Sequence, residues 1–307
     1  MSRTGIGKVG ILAGGPSNER EISLRSGKAV HASLLKEGID AILLEVQDDI
    51  RSPIEDNKID VVFIALHGRF GEDGTVQKIL EEMKMPYTGS GPKASKTALD
   101  KVLTKSILER AEIPVPRYII FEKDDYRIED CYDLAFPIVV KPHLEGSSIG
   151  LSVVKDKDAL TAAIEKAFEF GELALMEEYI AGRELTVGIL DDEPLPVIEI
   201  VTKGNVYDYK AKYDDPETRY LVPAPIDEEL SKKAKELAKR AHLALGCRHF
   251  SRIDMMMNKA GSIFVLEANT IPGMTERSLL PKAAQATGLS FGGLCIKLIE
   301  NALSAKR

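Results

Sequence analysis

The sequence predicts a mixed fold, a parallel α/β region at the N-terminus and an α+β region after it. Three observations carry this. Short apolar runs alternate with a helical stretch over the first 66 residues, the pattern of β-α-β units and a parallel sheet. A Gly-, Ser- and Pro-rich stretch, Tyr87-Thr88-Gly89-Ser90-Gly91-Pro92, then marks a boundary. Late in the chain two apolar runs, residues 251–257 and 262–269, flank the polar turn Asn258-Lys259-Ala260-Gly261 and read as a β-hairpin.

Size and composition bound the function. The 307 residues suffice for two or three domains, with 44% apolar and 29% charged residues and no Trp. A net charge of −7 gives no surface that attracts nucleic acid or anionic lipid. Cys131, Cys247 and Cys295 are odd in number and lack metal-type spacing, which points to a reduced, cytoplasmic chain with each Cys as a small core residue. Residues 1–8 have no apolar signal core and no run reaches membrane-spanning length, so no membrane partner is expected.

The first element is the run Val9-Gly10-Ile11-Leu12-Ala13, closed by Gly14-Gly15-Pro16 and followed by a helix over about 19–36 with Gly38 to end it. A helix start after a Gly turn offers backbone N–H groups to an anion. The spaced third glycine of a dinucleotide fingerprint is absent. Strands follow at 41–46 and 61–66. The second of these leads into His67-Gly68-Arg69-Phe70-Gly71-Glu72-Asp73-Gly74-Thr75, and ligands in open α/β sheets bind beyond the carboxyl ends of strands. The alternative for this loop is a tight turn whose His bonds locally.

One helix is predicted over 94–111, stopped by Pro114 and Pro116. The run Phe136-Pro137-Ile138-Val139-Val140-Lys141-Pro142 is a buried strand ending in a lysine, and Gly146-Ser147-Ser148 follows in a pliable loop before a strand at 151–154. A lysine and a Gly/Ser loop can hold nucleotide phosphates, and a solvated Lys beside a plain hairpin is the other reading. Helix 159–170, strands at 173–177, 183–190 and 195–201, a long loop from Tyr207 through Arg219, and an amphipathic helix over 227–245 complete the stretch before the hairpin. Long loops in compact domains tend to be lids, which draws attention to Lys212 and Tyr213.

In the hairpin, a two- or four-residue turn would set Arg252, Asp254, Glu267 and Asn269 on one face. Two carboxylates, an amide oxygen and a guanidinium there suit either Mg²⁺ carrying substrate phosphates or a structural ion-pair cluster. Beyond it, Thr275 is placed to cap the next helix and present backbone amides to an oxyanion. The closing helices, with Gly288 between them, are packing elements.

Together these stretches resemble the D-alanine-D-alanine ligases of the ATP-grasp superfamily over almost the whole chain. The resemblance is carried, in order, by Gly14-Gly15-Pro16-Ser17-Asn18-Glu19-Arg20-Glu21, His67-Gly68 with Gly71-Glu72-Asp73-Gly74-Thr75, Glu145-Gly146-Ser147-Ser148, and Tyr207-Asp208-Tyr209-Lys210-Ala211-Lys212-Tyr213. Arg252-Ile253-Asp254 and Glu267-Ala268-Asn269-Thr270-Ile271-Pro272-Gly273-Met274-Thr275 complete it. It implies an N-terminal α/β domain (1–93), a central ATP-grasp subdomain (94–182) and a C-terminal ATP-grasp subdomain with the metal site (183–307).

It further implies that ATP phosphorylates one D-alanine and that the amine of a second displaces the phosphate, for peptidoglycan precursor synthesis. Lys101, Lys141 and Lys212 would contact phosphates, and Glu177, Glu178, Tyr179, Ile180 and Glu184 would hold adenine and ribose. Asp254, Glu267 and Asn269 would ligate two Mg²⁺ (or Mn²⁺). Glu19 would pair with the first ammonium beside His67, with Ser147 and Tyr213 linked to it. Arg252 and the Gly273 amide would stabilise the oxyanion, and Ser278 with the Leu279 amide would bind the second carboxylate. A cytoplasmic homodimer is the usual assembly for such ligases.

His249-Phe250-Ser251, Glu276-Arg277 and Arg219 depart from common family forms. Another carboxylate-amine ligase, a D-lactate- or D-serine-using relative, or a silent nucleotide-binding regulator would share much of this pattern. Tyr213 favours an amine as second substrate.

Overall fold

The structure is a computed structural model that describes residues 5–126, 134–202 and 217–304. The first sheet is parallel, with order β2-β1-β3 from β1 (Val9–Gly14), β2 (Ala41–Val46) and β3 (Val61–Ile64). All-parallel sheets must be covered on both faces, and this one is. Ile11 and Phe63 pack with Val30 and Leu34 of α1 (Arg20–Lys36) and with Leu294, Leu298 and Ile299 of the last helix, α9 (Phe291–Ser304). On the other face, Leu12, Leu44 and Ile64 meet Ile50, Ile54, Val76 and Leu80. These belong to, or border, α2 (Arg51–Asp56) and α3 (Thr75–Glu82). The C-terminal helix thus shares a core with the N-terminal sheet. Strand β3 ends two residues before the expected 66, although the Ala65 amide still donates to the Leu12 carbonyl of β1 at 2.9 Å.

The helix expected over 94–111 is two helices, α4 (Pro92–Leu99) and α5 (Lys101–Arg110). Asp100 breaks them. Its backbone is extended and its carboxylate accepts from the Val102 and Leu103 amides at 3.0 and 3.1 Å, the behaviour of an N-cap. Helical periodicity continues across the break, which is why the sequence hides it.

The second sheet is antiparallel, β4-β7-β5-β6, from β4 (Tyr118–Glu122), β5 (Ile138–Pro142), β6 (Ser152–Val154) and β7 (Leu173–Glu178). Helix α6 (Leu160–Phe168) covers it through Leu160, Ile164 and Phe168. The third has order β11-β10-β8-β12-β13, with β9 (Glu193–Pro194) beside β8 (Gly182–Leu190). Its other members are β10 (Ile198–Val201), β11 (Arg219–Leu221), β12 (Phe250–Asn258) and β13 (Ile263–Asn269). Helix α7 (Glu228–Ala244) covers one side through Ala234, Leu237 and Ala241. Most of the expected 207–219 loop lies outside the described residues, and Arg219 opens a strand rather than ending a loop.

The hairpin forms with a different turn from the expected one. Met257 faces Ile263 across the turn, an odd loop that alone would put Asp254 and Glu267 on opposite faces. A β-bulge between Asp254 and Met255 shifts the register by one, so that Asp254 faces Glu267 and Arg252 faces Asn269. Leu266 is the extra residue on β13. The expected shared face exists, and the bulge makes it.

Candidate active site between two cavities

The β12–β13 face separates two cavities. Asp254 and Glu267 line the smaller, about 130 Å³, together with Lys101, Lys141, the segment Glu177, Glu178, Tyr179 and Ile180, and Glu184. Arg252 and Asn269 line the larger, about 1030 Å³, with Glu19, His67, Ser147, Gly273, Ser278 and Leu279. The described residues expected at the site therefore converge on one region, with the hairpin's two carboxylates and the lysines on one side and Arg252, Asn269 and Glu19 on the other. Lys212 and Tyr213 lie outside the described residues.

On the strand face the charges are mutually compensated. Arg252 Nε and Nη2 donate to the two Asp254 oxygens at 2.8 and 2.7 Å, and Asn269 Nδ2 donates to Oδ2 at 3.0 Å. Thr186, opposite Asp254 on β8, donates its hydroxyl to Oδ1 at 2.6 Å. A buried carboxylate needs such donors to offset its lost hydration. The donor set is hard oxygen, two acids facing each other plus an amide, and this fits a magnesium-type ion. Among the described residues no three His, Cys, Asp or Glu side chains cluster, so an ion here would need further oxygens from a phosphate.

In the smaller cleft, α5 and β5 deliver the lysines. Lys101 sits at the first turn of α5 because Asp100 stops α4 just before it. Its Nζ donates to the Glu145 carbonyl at 2.5 Å and lies 3.9 Å from Glu267. Lys141 leaves the end of β5 and reaches Glu177 at 2.8 Å. Val139, Leu151, Val153, Met256 and Leu266 give this cleft apolar walls. The bulge lets Leu266 and Glu267 both face it.

The larger cavity is built from loops. Glu19, nearly buried at the head of α1, accepts a hydrogen bond from Ser147 Oγ. Gly68 and Gly146 close around its carboxylate, and a Cβ at either would lie 2.7 or 2.9 Å from Glu19 Oε2. Ser147 and Ser148 hold left-handed backbones, φ 48° and 59°, that turn the loop toward Glu19. His67 Nε2 is 3.1 Å from Ser26 Oγ, and burial lowers its imidazole against the pull of Glu19, which favours the neutral ring. Ser26 Oγ also accepts from the Met274 amide at 3.2 Å, tying α1 to the loop after β13.

Two expectations are corrected here. At the start of α1 the Glu19 and Arg20 amides donate to Ser17 Oγ and the Ser17 carbonyl, each at 3.2 Å, and so are committed internally rather than offered to an anion. Ser278, not Thr275, is the N-cap residue of α8 (Leu279–Gln285). Thr275 instead closes a turn, its Oγ1 2.9 Å from Ser278 Oγ and its carbonyl accepting from the Ser278 amide at 2.9 Å.

Three residues carry no individual role in the sequence reading. Thr186 is one more β-branched strand residue until its partner is known. Glu72 lines the larger cavity, accepts from the Gly68 amide at 2.7 Å, and is pushed up to about 8 by burial and then by Glu19. Lys105 is completely buried, 3.1 Å from Glu177. Its position one helical turn after Lys101 is the only sequence signal for it.

A family model described as the D-ala D-ala ligase C-terminus matches residues 107–300, and one described as the D-ala D-ala ligase N-terminus matches 45–90. The chain belongs to the D-alanine-D-alanine ligase family. A relative from Syntrophotalea carbinolica, D-alanine--D-alanine ligase, is 46% identical over 96% of each chain. One of the same name from Nitrosomonas eutropha is 45% identical over 98% of each. A Bacillus anthracis D-alanine--D-alanine ligase solved in complex with ATP superposes with a TM-score of 0.84, at 33% identity and 97% coverage of both chains. Another structure of that organism's ligase gives 0.85 at 37% identity, over 96% of this chain and 97% of the other. As a member of the ligase family the chain is an enzyme, and its mixed fold with one parallel and two antiparallel sheets is the family's.

Proposed function

We propose that the chain joins two D-alanine molecules, consuming ATP and releasing ADP and phosphate, as a step of peptidoglycan precursor synthesis. The observation that carries this is the β12–β13 face, which sets acids and lysines in one cleft and Arg252 in the adjoining chamber beside Glu19. A phosphoryl group leaving the first side meets a carboxylate held on the second.

In this reading Lys101 and Lys141 hold the phosphates, the Glu177, Glu178, Tyr179 and Ile180 segment takes adenine, and Glu184 takes ribose. Asp254, Glu267 and Asn269 would hold two Mg²⁺ (or Mn²⁺), whose charge, when bound, offsets that of the transferring phosphoryl group. Glu19, fixed by Ser147, pairs with the ammonium of the first D-alanine near neutral His67. The γ-phosphoryl group passes to that D-alanine's carboxylate. The amine of the second D-alanine then forms the peptide bond as phosphate leaves with the C–O electron pair. Arg252 and the Gly273 amide face the oxyanion of that step, and donors of this kind are worth about 3 kcal/mol each. Ser278 and the Leu279 amide hold the second carboxylate. Lys212 and Tyr213 belong to the same proposal, as a phosphate contact and as a partner of Ser147.

The smaller cleft, about 130 Å³, is below the roughly 300–1,000 Å³ usual for ligand sites, and the loop carrying Ser148 and Ile149 forms part of its wall. The division into domains at 93/94 and 182/183, a homodimeric assembly and a cytoplasmic location complete the reading. The test is incubation with ATP, Mg²⁺ and D-alanine, with the dipeptide detected by mass and phosphate release followed in parallel. Release independent of D-alanine overturns the reading, and a panel with D-lactate, D-serine and other amino acids separates it from neighbouring specificities.

A further inference from the structure

Lys105 has no place in the mechanism above, yet it is among the most deeply buried charged side chains in the molecule. Its side chain is 0% exposed, and burying an ammonium is costly unless an anion compensates it. The compensation is Glu177, itself almost fully buried, whose Oε1 lies 3.1 Å from Lys105 Nζ and 2.8 Å from Lys141 Nζ. Two ammonium groups thus share one carboxylate oxygen. Burial pushes the Glu177 carboxyl up, and the two lysines more than reverse it, so it sits below its ordinary value, while burial draws the Lys105 ammonium below its ordinary value against the pull of Glu177.

The three groups have unequal access. Lys141 and Glu177 line the smaller cleft, and Lys105 does not. Lys105 approaches from beneath, on α5, with its Nζ 5.3 Å from the centre of the Tyr118 ring. Tyr118 is the β4 partner of Glu177, and its hydroxyl donates to Glu109 at 2.9 Å. One helical turn separates Lys105 from Lys101, about 6 Å along the axis, so one helix places one lysine in the cleft and one behind it.

The consequence is electrostatic. A Lys141–Glu177 pair alone would be neutral and closed on itself, and a phosphate would have to compete with Glu177 for Lys141. When Lys105 carries its proton, the same carboxylate faces two ammonium groups, one positive charge in the trio is left over, and Lys141 is the member that lines the cleft.

We infer that Lys105 is a positioning residue for the nucleotide, a buried counter-ion that occupies Glu177 and so leaves the charge of Lys141 available to phosphate. This rests on the nucleotide cleft proposed above. Lys105 never touches the ligand and acts only through Glu177.

The experiment compares wild type, Lys105→Met, Lys105→Arg, Glu177→Gln and the double variant Lys105→Met/Glu177→Gln. Melting curves report folding, calorimetry reports ADP binding, and steady-state kinetics give the KM of each substrate. Lys105→Met should weaken ADP and raise the ATP KM by about tenfold or more, with the D-alanine KM and kcat close to wild type. Lys105→Arg should restore most of the loss. In the double variant Lys141 has no competing carboxylate, so its ATP KM should match that of Glu177→Gln alone.

An unchanged ATP KM in folded Lys105→Met overturns the inference, as does an equal rise for both substrates or a double variant in which the two losses multiply. Should Lys105→Met not fold, the comparison of Glu177→Gln with the double variant, which lacks both buried partners, decides the matter. Failure of the wild type to make dipeptide would overturn the proposed function. ADP binding to the variants would still test Lys105.

Discussion

The two cavities that meet at the β12–β13 face are built by opposite means. The smaller takes its acids and its central lysine from strands and places them by register, Asp254 opposite Glu267 and Lys141 at the end of β5. The larger takes Glu19, His67, Ser147, Gly273 and Ser278 from loops and helix starts, and places them by single hydrogen bonds and close glycines. Register fixes several side chains at once and fails all at once. A hydrogen-bonded loop can lose one member and keep the rest.

Slipping the register is the sharpest test of that contrast. Deleting Val265 together with Leu266 should pair Met255 with Glu267, turn Glu267 and Asn269 to the other face, and abolish dipeptide formation. Deleting Leu266 alone removes the bulge but leaves Asp254 opposite Glu267 and Arg252 opposite Asn269, and should retain most turnover. Equal activity in the two variants would end the claim that register builds the cleft. Next in size, Arg252→Ala should lower kcat by about 10²–10³, with far-UV circular dichroism retained, since a preorganised donor is lost. On the loop side, Ser147→Ala frees Glu19 without moving it. The D-alanine KM should rise by about tenfold while the ATP KM stays put. A matching rise in the ATP KM would show that the two cavities are not independently built.

Thr186→Val removes one donor from Asp254 and leaves a buried oxygen less satisfied. Urea denaturation should show a loss of about 1–3 kcal/mol.

The smallest effect concerns pH. Glu72 is raised from 4.5 to about 8, by burial first and by Glu19 next, so the folded protein binds its proton more tightly than the unfolded chain does. The stability it contributes is complete below about pH 4.5 and is lost as pH rises through 8. Against Glu72→Gln, the metal-free wild type should therefore lose urea stability steadily between those limits. A flat difference would show that Glu72 is ionised throughout.

Much of this was legible in the residues. Alternation of Val, Ile and Leu runs with one amphipathic stretch gave the parallel sheet, because covered parallel strands read as unbroken apolar runs. The charged motifs along the chain, among them Arg252-Ile253-Asp254 inside β12 and the Gly146-Ser147-Ser148 loop, named side chains that the structure brings to one region. The Asp100 break was harder to see, because an N-cap inside a continuous helical period looks like one more polar face residue. Lys105 was hidden because a lysine on a helix is normally solvated, and only the sheet packed over it makes it otherwise.

By itself the sequence determined which elements form and which side chains are chemically able to act, because backbone preference and apolar period are local quantities. The tertiary structure alone decided that Asp254 and Glu267 share a face through a bulge, that the last helix closes the first sheet, and that Glu177 lies between two lysines. Each of those depends on contacts between segments far apart in the chain, where a shift of one residue or one helical turn reverses the outcome and leaves no mark on local pattern.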